Sequence, residues 1–112
     1  MTEPRLKTDL WIRAQIRLCD VSFIPAVIGR KGDPDAGQVL IRRDLLNGTC
    51  ELFARTVLAD GGRGWRRLGG RDPLDREEAD ALVTRECGID PDLWVLEIDD
   101  PDRRYTLDAP TV

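Results

Sequence analysis

Between Ala26 and Pro73 clusters of turn formers cut the chain every few residues, and this punctuation constrains the fold more than any other feature. The clusters are Gly32-Asp33-Pro34-Asp35-Ala36-Gly37, Leu46-Asn47-Gly48-Thr49, Ala59-Asp60-Gly61-Gly62-Arg63 and Gly69-Gly70-Arg71-Asp72-Pro73. The intervals they leave are too short for helices and are apolar or alternating. Ala26–Arg30, Gln38–Arg43, Cys50–Leu58 and Gly64–Leu68 therefore read as four strands joined by tight turns, an antiparallel meander. In the third, Cys50, Leu52, Ala54 and Leu58 alternate with Glu51, Phe53, Arg55 and Val57, so the strand has two distinct faces.

Helical spacing brackets this block. From Leu6 to about Phe23, the apolar residues Leu10, Trp11, Ala14, Leu18 and Val21 fall within an arc of about 100°. Ile12, Ile16 and Cys19 form a second stripe, which Gln15 separates from the first on one side. A helix with two apolar stripes needs cover on both. The sheet supplies one cover; the other falls to the C-terminal segment or to a second protein chain. Pro25 ends this helix. Asp72 followed by Pro73 predicts a second helix start, with Ala79, Leu82, Val83 and Cys87 as the buried stripe and Gly88 as the stop. Leu93-Trp94-Val95-Leu96-Glu97-Ile98 is apolar on both faces and predicts a central strand. Residues 99–112 are expected to form a polar, partly flexible tail. The expected fold is a single α+β domain over 1–112, in the order α-β-β-β-β-α-β, with an antiparallel sheet of about five strands and two helices packed on one face.

Composition narrows the chemistry. No histidine occurs among the 112 residues, which excludes Ser-His-Asp and Cys-His nucleophile pairs, histidine-ligated zinc and an imidazole pH switch. Cys19, Cys50 and Cys87 lie 31 and 37 residues apart with no close pair, and read as reduced thiols packed as small hydrophobes. No apolar run reaches the ~20 residues of a membrane span, and Met1–Lys7 lacks the apolar core of a signal peptide, so no membrane partner and a cytoplasmic location are expected. Charge is segregated. Residues 1–71 hold 13 basic and 8 acidic side chains, net +5, whereas residues 72–112 hold 4 and 13, net −9. Such halves pair across the fold or between subunits.

The opening Leu6-Lys7-Thr8-Asp9-Leu10-Trp11-Ile12-Arg13-Ala14 and the later Asp90-Pro91-Asp92-Leu93-Trp94-Val95-Leu96-Glu97-Ile98-Asp99-Asp100 resemble the two ends of a family of short bacterial proteins known only as a domain of unknown function. Gly64-Trp65 and the Asp-rich second helix fit the same pattern. Glu86-Cys87-Gly88-Ile89 departs from it, standing where the family carries basic and aromatic residues. The resemblance implies a single domain and carries no activity, ligand or catalytic residue with it.

Several constellations are candidate sites. Ile12, Ile16 and Cys19 are the interface candidate, as the stripe left without cover. Arg42, Arg43, Arg55, Arg66 and Arg67 with Trp65 would make a basic, aromatic sheet face suited to single-stranded nucleic acid, provided all six share it. Asp90, Asp92, Asp99 and Asp100 offer carboxylates to a divalent cation or to carboxylate-dependent catalysis if they converge; as Asp-Pro pairs they also simply make turns and caps. Gly61-Gly62-Arg63-Gly64 and Gly69-Gly70-Arg71 lack the lysine and serine or threonine of a phosphate loop. Arg66-Arg67-Leu68-Gly69-Gly70-Arg71 only echoes the pyrophosphate loop of acetyl-CoA-dependent transferases. The sequence thus points first to a non-enzymatic protein-binding or self-assembling module, with a protein partner or a second copy of itself and no cofactor. Nucleic-acid association comes second, and a metal-assisted carboxylate enzyme third.

Overall fold

The computed structural model describes residues 6–112. Helix α1 spans Thr8–Val21, and strands β1 (Ala26–Arg30), β2 (Val39–Asp44), β3 (Thr49–Val57), β4 (Arg63–Leu68) and β5 (Leu74–Asp75) follow. Helix α2 (Arg76–Ile89) and strand β6 (Trp94–Asp99) complete the order. The α+β class holds, and the sheet has six strands rather than five. Along the sheet the strands run β1-β6-β2-β3-β4, with β5 pairing the start of β3. Among the described residues no helix is long and apolar enough to cross a membrane.

β6 inserts between β1 and β2, antiparallel to β1 and parallel to β2. The expected meander therefore survives only as β2-β3-β4, and the sheet is mixed. The cause is the composition of β6. Trp94, Leu96 and Ile98 point to one face and Val95 to the other, all buried, so only a central position hides them. To admit β6, the loop after β1 crosses its start. Gly32 and Gly37 lie so close to the Asp92 carbonyl that a Cβ at either would be 2.0 and 2.6 Å from it. Trp94 locks the crossing by donating its indole N–H to the Asp33 carbonyl at 2.7 Å.

The expectation of two helices on one face is corrected. α1 covers Val39, Ile41, Phe53, Trp65, Trp94, Leu96 and Ile98. α2 covers the opposite face, where Ala79, Leu82, Val83 and Cys87 pack on Leu40, Cys50, Leu52, Leu68 and Val95. β2 and β6 are apolar on both faces, so each face needs its own helix. α2 also starts later than Asp72: its N-cap is Asp75, whose carboxylate accepts from the Glu78 amide at 2.8 Å. Leu74 is buried among Leu52, Leu68 and Leu74's own strand partner Cys50, which holds residues 74–75 extended before the helix can begin.

α1 also turns over relative to expectation. Its buried positions are Thr8, Trp11, Ile12, Gln15 and Cys19, with Ile16 half-buried. Leu10, Leu18 and Val21 are the exposed ones, at 49, 60 and 70%. Gln15, read as a polar separator, faces inward because its side-chain carbonyl accepts the Tyr105 hydroxyl at 2.7 Å. That partner lies in the segment expected to be a polar, partly flexible tail. Residues 100–112 instead pack along α1, with Asp100 and Tyr105 buried. Asp100 accepts backbone N–H bonds from Arg104 and Tyr105.

Burial pushes the Tyr105 hydroxyl above its usual pKa, with Cys19 and Asp108 adding to the shift, so it stays a donor to Gln15. The raised folded-state value means that its stabilisation is complete below the unfolded pKa of about 10 and is lost as pH rises beyond it. Tyr105→Phe should cost about 1–2 kcal/mol in urea unfolding at pH 7, because it orphans the buried Gln15 carbonyl. The variant should also show a shallower loss of stability between pH 9.5 and 11; an unchanged alkaline slope would contradict this role for Tyr105.

Candidate functional site

The interface candidate is displaced. Ile12 and Cys19 are 0 and 1% exposed and sit in the core with Trp94 and Ile98. Ile16 packs against the same cluster. The chain's own sheet and C-terminal segment provide the cover, the first of the two alternatives the sequence left open. Burial, then Asp100, pushes the Cys19 thiol up, so it remains protonated. Cys50 and Cys87 are also free thiols.

The nucleic-acid candidates do not share a face. On the α1 side stand Arg43, Arg55, Trp65 and Arg67; strand alternation sends Arg42 and Arg66 to the α2 side. Most are engaged. Glu51, 4% exposed, has Arg43 Nε at 3.5 Å, Arg67 Nη2 at 2.9 Å and Arg103 Nε at 3.2 Å around its carboxylate. Arg43 Nη1 also reaches Asp100 at 3.3 Å. Arg42 pairs with Asp80 of α2 at 2.6 Å. Arg55 lies over the Trp11 ring at 4.4 Å and near Trp65 at 5.9 Å, and Trp65 is 1% exposed. A stacking platform for bases needs an open ring; this one is closed.

The four aspartates do not converge either. Asp90 and Asp92 precede β6 while Asp99 and Asp100 end it, on the order of 20 Å apart along an extended strand. Asp90 caps its own turn by accepting from the Asp92 amide at 3.0 Å, and Asp100 is consumed as described. Among the described residues no group of three or more Cys, Asp or Glu side chains is placed to hold a metal ion.

What sequence reasoning missed is a clamp on the C-terminal segment. Trp11 and Trp65 stand side by side, ring centroids 5.9 Å apart, and donate their indole N–H groups to the two carboxylate oxygens of Asp108, each at 2.9 Å. The chain continues beside β4: the Trp65 amide donates to Pro110, and the Val112 amide to Trp65. The sequence alone suggests an open sheet face for Trp65, not a place in this pair. Nothing local pairs Trp11 and Trp65 with a residue 97 and 43 positions away.

The surface left exposed lies where α1 meets β1. α1 closes with the amides of Phe23 and Ile24 bonding back to the carbonyls of Asp20 and Cys19 at 3.0 and 2.8 Å, the paired reversal of a Schellman ending. In that ending the residue in the left-handed conformation is usually glycine. Here it is Phe23, at φ 58°, with 90% of its side chain exposed. Val21 and Leu18 precede it on α1; Val27 and Ile28 follow on β1, exposed at 60 and 42%. β1 forms one edge of the sheet. A groove of about 560 Å³ separates α1 from this edge, bordered by Ile16, Arg17, Asp20 and Val27.

Residues 6–108 match the family described as "Protein of unknown function (DUF1491)". The chain belongs to the DUF1491 family. No curated protein matches it. Among solved structures, it is similar to the crystal structure of a DUF1491 family protein from Caulobacter crescentus CB15, at 38% identity and a TM-score of 0.85, covering 96% of this chain and all of that one. The NMR structure of a DUF1491 family protein from the same organism gives 38% identity and a TM-score of 0.82 over 98 and 99% of the two chains. Protein Atu0922 from A. tumefaciens follows at 28% identity and 0.72, over 86% of each. The family match over residues 6–108 takes in Trp11, Trp65 and Asp108 of this chain.

The clamp predicts a specific failure. Asp108→Ala leaves two indole donors without partners, at about 1–3 kcal/mol each when buried. Urea unfolding should register a loss of about 2–4 kcal/mol, with a red shift of tryptophan emission before the main transition. Asp108→Asn keeps one acceptor oxygen and should lose about half as much; equal losses for the two variants would contradict the paired-acceptor role.

Proposed function

We propose that this DUF1491 protein is a non-enzymatic protein-binding or self-assembling module of the cytoplasm, and that its contact surface is the junction of α1 and β1. The observation that carries the reading is Phe23. A bulky residue in the left-handed region costs about 1 kcal/mol relative to glycine, and backbone strain of this kind clusters at functional sites. Here the strain presents an aromatic ring to solvent, and the ring gains nothing from the chain's own core. Exposed aromatics bordered by aliphatic side chains are the usual anchors of protein interfaces. Leu18 and Val21 on α1 are exposed beside Phe23 in the chain, and Ile28 lies on the α1 face of β1. The interface residues proposed from sequence, Ile12, Ile16 and Cys19, give way to these; the class of function stays.

Phe23→Gly separates function from folding, because the two effects have opposite signs. Relief of the backbone strain should raise unfolding free energy by about 0.5–1 kcal/mol. The same change should weaken association, read as a shift of the sedimentation coefficient toward that of the monomer in a concentration series, or as loss of a partner retained by wild type on an affinity column. A variant that is more stable and binds as well as wild type would overturn the proposal.

A further inference from the structure

From the exposed edge of the sheet we infer that the partner of this surface is a second copy of the chain, joined β1 to β1 in antiparallel fashion. The inference rests on reading the α1–β1 junction as a contact surface and adds its occupant and register. The Asp99 amide donates to the Pro25 carbonyl at 2.9 Å, and the ladder continues as Ala26 opposite Ile98, Val27 opposite Glu97 and Ile28 opposite Leu96. Hydrogen-bonded and non-bonded pairs alternate in an antiparallel ladder. Pro25 and Val27 therefore turn their backbone groups toward β6, and Ala26 and Ile28 turn theirs outward. Among the described residues these outward groups meet no other backbone. In a single chain such a row is left to water, and it is a ready template for pairing with another strand.

The spacing of the outward groups selects a two-fold pairing centred on Val27. Ala26 of one chain then exchanges both backbone bonds with Ile28 of the other, twice over, giving four hydrogen bonds. Val27 faces Val27 of the second copy at the close, non-bonded position, which covers both exposed side chains. Pro25, which has no N–H to give, falls opposite Gly29, where none is needed. The irregularity between Ile28 and Arg30 lies outside the paired stretch and limits it.

Charge fits the same register. Antiparallel pairing sets the basic end of β1, past Gly29, beside the Pro25 end of the second copy. The Pro25 end borders a cleft of about 130 Å³ whose acids include Glu97 and Asp99, and neither has an ion-pair partner among the described residues. An interface built on five-residue strands is small, so association is weak and concentration-dependent.

Val27→Cys in a Cys87→Ser background tests the register. Cys19 and Cys50 are buried and cannot compete. Mild oxidation should give a disulfide-linked dimer at protein concentrations of tens of micromolar, and Val27→Lys, placing like charges face to face, should weaken sedimentation-detected association roughly tenfold or more. Gly61→Cys, at an exposed turn on the far side of the sheet, should cross-link no faster than chance encounter. If wild type associates and Phe23→Gly dissociates it, but Val27→Cys cross-links no faster than the Gly61→Cys control, β1 pairing is wrong while the surface reading stands. If wild type stays monomeric up to hundreds of micromolar, the second copy is not the occupant. If neither Phe23→Gly nor Val27→Lys alters a measured association, both readings fall.

Discussion

The position of β6 is the constraint from which the rest of this structure follows. A C-terminal strand with Trp94, Leu96 and Ile98 on one face and Val95 on the other cannot lie at an edge or against solvent. Placed in the centre, it makes the sheet two-sided and calls for a helix on each face. It also parts β1 from β2, which the chain order would otherwise have joined. β1 becomes a five-residue edge held on one side only, and the loop leaving it must cross the start of β6 through Gly32 and Gly37. The exposed apolar residues of β1 are a consequence of where β6 goes.

The segment after β6 then ties the two halves of the chain together. Asp100, a candidate metal ligand by sequence, is spent on Arg43 and two backbone amides, and Asp108 on two indoles. The segregated charge resolves in the same way. Arg42 with Asp80, Arg43 with Asp100 and Arg76 with Asp44 each join a residue from the first 71 positions to one from the remainder. Isolated, exposed pairs of this kind contribute little, but the buried Glu51 with three guanidinium groups around it would leave uncompensated charge if any part were removed. The basic sheet face that suggested nucleic acid is in this sense an internal counter-ion.

Much of this was legible in the sequence, and the limits have physical causes. The Asn47-Gly48 turn, the strands it joins and the central character of residues 94–98 were written in local pattern, because turn chemistry and two-sided apolarity act over a few residues. The buried side of α1 was not. Two stripes of similar hydrophobicity compete there, and Gln15 decides between them only through Tyr105, 90 positions on. The insertion of β6 beside β2 and the capture of Asp108 by Trp11 and Trp65 are pairings across most of the chain, which no periodicity encodes. Phe23 stood in plain view at the end of the predicted helix. Its significance lies in a backbone angle, and that is a property of the folded state alone.

Residue-resolved amide hydrogen exchange across β1 tests this account most directly, because neighbouring residues serve as each other's control. At low protein concentration the Val27 amide, bonded to β6, should exchange slowly while those of Ala26 and Ile28 exchange near the rate of free peptide. At high concentration Ala26 and Ile28 should become protected and Val27 should change little. Slow exchange at all three positions in dilute solution would mean that β1 is not the open edge described here, and the account would fail at its centre.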